Sequence, residues 1–358
     1  MIRYGGASTW PPTANHNHDD WPVALRGYKL IYFELASLLP RSTPSLDDGA
    51  NRMAICKFRE LFRDLLRQHL DADAAYDLIK KAENEKGTIS REINDVLYSC
   101  MAWCSHAYRW GVFPIVKVAQ EGEIIDLPPE VVKPWEYLQE YFGSTSQSGN
   151  VMSSPLLNFD DGGQHVFKAN YGLSEKIVSS EEELARIFRD VEESALLIYQ
   201  DMIRALVAFD TGRKAACIDH LNRIQIHLRS ALSVYYDRLH DQKVARSVWV
   251  SHVQGFLGWE AVYQHEQTGE IVKFDGLSGN QILLFRALDA FLGMDTYLSA
   301  EDLKRNVSLR QREFCRVLSK HCIRERLDDE GDAAEILDGF DKIVKRLRMS
   351  CQFASNFL

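Results

Sequence analysis

Apolar residues recur at helical spacing over most of the chain. In the C-terminal stretch LDGFDKIVKRLRMSCQFASNFL they fall at Leu337, Phe340, Ile343, Val344, Leu347, Cys351, Ala354 and Leu358, the three-and-four spacing of one buried helix face. Cys351 therefore points inward. Lys342, Lys345 and Arg346 take the opposite side, and Arg348 sits one turn before Cys351 at the margin of the apolar face. Between Trp21 and Lys80 the spacing predicts two or three helices. One is YKLIYFELASLLP, stopped by Pro40; another is MAICKFRELFRDLLRQHL, with Ile55, Phe58, Leu61, Phe62, Leu65 and Leu66 in phase. The apolar segment INDVLYSCMAWCSHAYRW predicts a further helix running to Gly111, with Cys100, Cys104 and Tyr108 on one face.

Where the period breaks, turn residues take over. Residues 1–22 are rich in Pro, Asn, His and Asp and read as an irregular arm. Pro114, Pro128, Pro129 and Pro134 make Val112 to Phe142 a connector with short elements, and GSTSQSGNVMSSP, from Gly143 to Pro155, is the most flexible-looking stretch, a linker or a mobile loop over a site. Ser180 and Glu183 form a capping-box pattern heading a helix to about Phe209. Residues 211–240 predict a long amphipathic helix with Ile218, Leu221, Ile224, Leu228, Leu232 and Tyr235 on one side. VYQHEQTGEIVKF reads as a hairpin turning at Thr268 and Gly269. The turn DGLSGN then leads into the helix QILLFRALDAFLGM. Two more helices and the acidic turn DDEGDAAE precede the C-terminal one. The fold class expected is all-α with at most a minor hairpin.

Charge removes one class of function. With 42 Lys and Arg against 51 Asp and Glu, a net charge of −9, the chain lacks the basic face that a nucleic-acid binder needs. No apolar run approaches the roughly 18 residues of a membrane span, and the N-terminal residues lack a signal peptide's apolar middle. A cytoplasmic protein with its seven scattered cysteines reduced is the expectation.

Local catalytic signatures are absent: no serine-nucleophile elbow, Gly-rich nucleotide loop, HExxH or paired CxxC occurs. His16, His18, Asp19 and Asp20 could ligate a metal, but a solvated polar arm is the expectation. Cys100 and Cys104 near His106 have no second pair elsewhere and read as buried hydrophobes, while His220 and His227, seven apart, read as a helix flank.

Four segments carry a family resemblance. CSHAYRWGVFP, from Cys104 to Pro114, followed by LPPEVV at Leu127, is the first. HDQKVARSVWVSHVQGFLGW, from His240 to Trp259, is the second; DGLSGNQILLFRALDAFLGM, from Asp275 to Met294, the third; and RLRMSC, ending at Cys351, the fourth. In order and spacing they resemble the haem dioxygenase superfamily that contains indoleamine 2,3-dioxygenase, tryptophan 2,3-dioxygenase and monodechloroaminopyrrolnitrin synthase.

That resemblance implies a small N-terminal helical domain, residues 1–142, a flexible linker or loop, 143–170, and a C-terminal helical domain, 171–358, enclosing haem b. The family's axial histidine falls at Cys351, so the implied iron ligand is a thiolate, which favours O–O cleavage and suits transfer of one oxygen atom or peroxide-driven oxidation. Arg348 matches the arginine near a haem propionate, and Ser278 and Gly279 match the turn over the haem edge. On the distal side Trp249, Ser251 and His252 fall in the segment that lines the substrate pocket, with Trp249 and Tyr108 as candidate walls and His252 as candidate proton relay. Val253 stands where the family has the arginine that grips the substrate carboxylate, so an apolar or decarboxylated indole is as suitable as tryptophan. The implied partners are a small aromatic substrate, O2 or H2O2, and an electron-donor protein. Insertion of both oxygen atoms by a protein whose axial ligand lies elsewhere, a non-catalytic haem sensor and a haemless helical interaction protein stay open; the nearest C-terminal histidine, His321, lies thirty residues before Cys351.

Overall fold

The computed structural model describes residues 14–39, 47–110, 125–147, 149–238, 243–244, 246–248, 252–253, 256–257, 262–264, 271–273, 281–327 and 333–355; for 349–355 it describes the backbone. The chain is all-α. Its helices are α1 (Arg26–Leu35), α2 (Asp48–His69), α3 (Ala72–Asn84), α4 (Arg91–Trp110), α5 (Pro129–Phe142), α6 (Glu175–Asp210), α7 (Lys214–Arg238), α8 (Leu283–Leu292), α9 (Ala300–Asn306), α10 (Leu309–Lys320) and α11 (Ala333–Ser355). The expected hairpin is present: β1 (Val262–Gln264) pairs antiparallel with β2 (Ile271–Lys273), Tyr263 opposite Val272. Its turn lies outside the described residues. Among the described residues no helix is long and apolar enough to cross a membrane.

Helix ends follow side-chain chemistry. Asp47 accepts from the Gly49 amide at the head of α2, Asp71 from Ala74 at the head of α3, and Ser299 from Asp302 at the head of α9, each satisfying an amide the helix leaves unpaired. Gly143 (φ 66°) and Gly293 (φ 64°) close α5 and α8 in the left-handed conformation, which costs a side-chain-bearing residue free energy.

Two apolar cores result. The first joins α1 to α5 around α4, which is buried on every side from Ile93 to Trp110, and takes in Phe167 and Phe256. The second joins α6, α7, α8, α10 and α11. The wide helical turn Met152–Leu156 straddles them, with Met152 in the first core and Leu156 in the second.

Four local expectations are corrected. From Ala14 onward the polar arm is packed: His16 and Trp21 are buried, and the Asn15 backbone amide donates to the Glu92 carbonyl. The proline-rich stretch holds a 14-residue helix, α5. Pro129 is at its first position, where no amide is needed. Pro134 would orphan the Glu130 carbonyl four residues back, and the Tyr28 hydroxyl donates to that carbonyl at 2.7 Å. The serine-rich stretch 143–155 is pinned in the interior. Ser144 shares a hydrogen bond with the Tyr98 hydroxyl (2.9 Å), the Ser146 carbonyl accepts from the Trp135 indole (3.0 Å), and the Val151 amide donates to Gln281 (3.0 Å). Lastly, α6 begins at Glu175, so Ser180 is no cap. It lies inside the helix and its hydroxyl donates to the Lys176 carbonyl.

Candidate functional site

The C-terminal helix keeps the frame its spacing predicts. Ile336, Phe340 and Ile343 are fully or nearly buried in the second core, with Val344 and Leu347 packed at its margin. Each such side chain contributes about 1.5–3 kcal/mol of burial. Gly339 sets the approach to α7: a Cβ there would stand 3.0 Å from Leu221 Cδ1. Position 351 lies within α11, four residues beyond Leu347 and eight beyond Ile343, in register with the buried stripe. The Cys351 side chain is outside the described ones. Arg348 is exposed.

One turn beyond Gly339 a cleft opens between α7 and α11. Its volume is about 300 Å³, and Gln225, Lys342, Lys345 and Arg346 line it. The cations expected on the side away from the apolar stripe therefore share one concavity.

The segment around His252 is tied to the rest of the molecule by two buried side chains, Glu181 and Asn170. Glu181 on α6 accepts from the amides of Ala169 (2.7 Å) and Asn170 (2.9 Å) and from the Asn170 side chain (2.9 Å). Asn170 Nδ2 in turn donates to the carbonyl of His252 (2.9 Å). Burial pushes the Glu181 carboxyl up, opposed by those hydrogen bonds. The His252 ring is half-buried and burial lowers its pKa, so it is neutral at pH 7; Val253 is fully buried.

Two segments far apart in sequence meet at Phe256. The Trp110 indole donates to the Phe256 carbonyl (3.1 Å), and the His106 ring lies 5.4 Å from the Phe256 ring. Tyr108, on another side of α4, packs edge-on against Phe62 (5.4 Å) beneath the guanidinium groups of Arg59 and Arg63. Burial pushes its phenol up to about 12. Cys100 and Cys104 are buried in the first core, and the hydrogen bond between them together with burial holds the Cys104 thiol well above its usual range. Among the described residues no group of three or more His, Cys, Asp or Glu side chains is placed to hold a metal ion. His16 faces inward to the Leu157 carbonyl while Asp19 and Asp20 are exposed. His321 caps the end of α10. Trp249, Ser251, Ser278 and Gly279 lie outside the described residues.

Several polar clusters have no counterpart among the sequence expectations. Glu192 on α6 accepts from the Tyr199 hydroxyl (2.6 Å) and the Leu284 amide (3.2 Å), and burial raises its pKa. Asp201, also buried, accepts from or faces His220 (2.9 Å), Arg223 (3.3 Å) and His227 (3.5 Å) of α7. The two histidines thus flank a helix as expected, but around a shared carboxylate. A signal existed for the carboxylates: Glu181 and Glu192 fall in phase with Ala185, Ala195 and Ile198, on α6's buried stripe. Nothing local names their partners.

No protein-family model matches the chain, and no curated protein gives a match.

Proposed function

We propose that the chain is a haem-dependent oxygenase or peroxygenase of the indoleamine dioxygenase-like type, acting on an indole or a related small aromatic, with Cys351 as the residue that would hold the iron. The observation that supports this reading is the contact at Phe256: two of the four resembling segments meet there, joined by a hydrogen bond that spans 146 residues of sequence.

The residues of α11 suit haem by their chemistry. Position 351 continues the buried stripe, and three residues earlier Arg348 offers an exposed guanidinium whose fork matches a carboxylate at the solvent edge. Bound there, haem supplies an iron centre that activates dioxygen or peroxide, and thiolate ligation favours O–O cleavage.

The chain's own residues divide the remaining work. Val253, buried and apolar, offers no charge to a carboxylate, so a decarboxylated or apolar indole is the fitting substrate. His252, neutral at pH 7, can hold or pass a proton. The Glu181–Asn170 pair fixes the backbone that bears both. With dioxygen, transfer of one oxygen atom leaves the other as water and draws two electrons from a donor protein and two protons from solvent; hydrogen peroxide brings both itself.

Reconstitution with hemin tests the reading. The expected product has a ferrous–carbonyl Soret band red-shifted as thiolate ligation requires, and Cys351→His moves it to the globin-like position. An unchanged spectrum in that variant removes Cys351 as ligand. A chain that stays colourless ends the haem reading and leaves a haemless helical protein.

A further inference from the structure

We infer that the cleft between α7 and α11 binds a small organic anion carrying two or more negative charges, a phosphate ester or a dicarboxylate. Its volume of about 300 Å³ is at the lower end for small-molecule pockets. Lys342, Lys345 and Arg346 occupy positions i, i+3 and i+4 of one helix, so their charges repel along α11. An anion placed among them is attracted by the gathered positive charge, even though Asp338 offsets part of that of Lys342. Asp338 pairs with Lys342 at 2.5 Å, and the described lining itself holds no carboxylate.

The lining also selects. Arg346 offers a planar fork matched to two oxygens of a phosphate or carboxylate, while Lys345 and Lys342 act as point charges that follow the anion's shape. Gln225 brings both a donor and an acceptor, which suits a hydroxyl or amide on the ligand's organic part. The cleft has a firm base, because one turn below it on both helices Leu221 packs directly on Gly339. Arg348 is not part of the described lining, so the site stands apart from the haem reading.

Calorimetric titration of the full chain with phenyl phosphate and, separately, with succinate tests the inference and separates ester from dicarboxylate. Saturable binding of at least one is expected, weakened by added salt. Lys345→Gln and Arg346→Gln should each weaken it on the order of tenfold, the loss of one charge-assisted hydrogen bond. Lys345→Arg and Lys320→Gln, the latter at the end of α10, should bind as wild type. Circular dichroism and melting temperature check that each variant is folded. Absence of binding for both anions, or unchanged affinity in both glutamine variants, overturns the site. Prior loading with hemin should leave the affinity unchanged. Displacement by hemin would assign the cleft to the acidic edge of haem and overturn a separate site, whereas a chain that binds phenyl phosphate but no haem keeps this inference and loses the haem reading.

Discussion

Acid should loosen the N-terminal half through two histidines that the fold holds neutral. The Asn158 amide is oriented by Phe167, whose N–H donates to Oδ1 (2.7 Å) and whose carbonyl accepts from Nδ2 (2.9 Å). Nδ2 also faces His165 Nε2 at 2.8 Å, so that nitrogen must accept and the ring cannot be doubly protonated without breaking the contact. His16 donates from Nε2 to the Leu157 carbonyl at 3.0 Å, while Lys29 donates to the His16 carbonyl and adds its positive charge nearby. Burial, first of all, lowers His16 from 6.5 to about 4 and His165 from 6.5 to about 3. At about 1.4 kcal/mol per pH unit those differences correspond to roughly 3 and roughly 5 kcal/mol.

Both folded values lie below the unfolded one. The stability is therefore fully present above pH 6.5 and is lost as pH falls toward 4 and 3, because the unfolded chain takes up the protons first. Between pH 7 and pH 5 each histidine should cost about 2 kcal/mol, roughly 4 together, a large share of a typical 5–15 kcal/mol. Urea unfolding followed by the fluorescence of the buried Trp21 and Trp103 measures it. Glu181 and Glu192, raised by burial, act in the opposite sense as pH falls, but equally in wild type and variant. His165→Gln should accordingly flatten the pH dependence by about 2 kcal/mol over that interval. Parallel curves for wild type and variant would refute the reasoning.

Three further outcomes are expected. Gly27→Ala places a Cβ 2.4 Å from the His69 carbonyl oxygen where α1 crosses the end of α2, and should cost about 1–3 kcal/mol, read as a lower melting temperature; an unshifted melt contradicts the close approach. Asn170→Ala should speed amide exchange at 252–257 while α7 stays protected, since the His252 carbonyl loses its donor; unchanged exchange would mean that the link carries no order. Tyr199→Phe should destabilise by about 1–3 kcal/mol, because the buried Glu192 loses the hydroxyl that donates to it; an unchanged melting temperature would mean that the contact carries no stability.

Much of the helical layout was legible because its cause is local. The α7 stripe of Leu221, Ile224, Leu228 and Leu232, the two strands of the hairpin, and the register of position 351 with Ile343 and Leu347 follow from spacing along the chain. Misreadings fell where a distant group repaired a local fault. Prolines argued against a helix at 129–142 until the Tyr28 hydroxyl, from α1, took up the carbonyl that Pro134 leaves bare. Serines argued for a loose loop at 143–155 until Tyr98, Trp135 and Gln281 satisfied their backbone and hydroxyls. Of the candidate site, the resembling segments could be picked out from the chain, and Glu181 and Glu192 could have been flagged as carboxylates on an apolar stripe. Their partners could not.

Periodicity thus sufficed for the all-α class, most helix positions and the inward frame of the last helix, since a helix forms from contacts three and four residues apart. Packing alone supplied the meeting of Trp110 with Phe256, the hold of Glu181 on Asn170 and the gathering of three cations and a glutamine around one cleft. Those arrangements depend on which faces come together across as many as 146 residues of chain, and no local pattern encodes that distance.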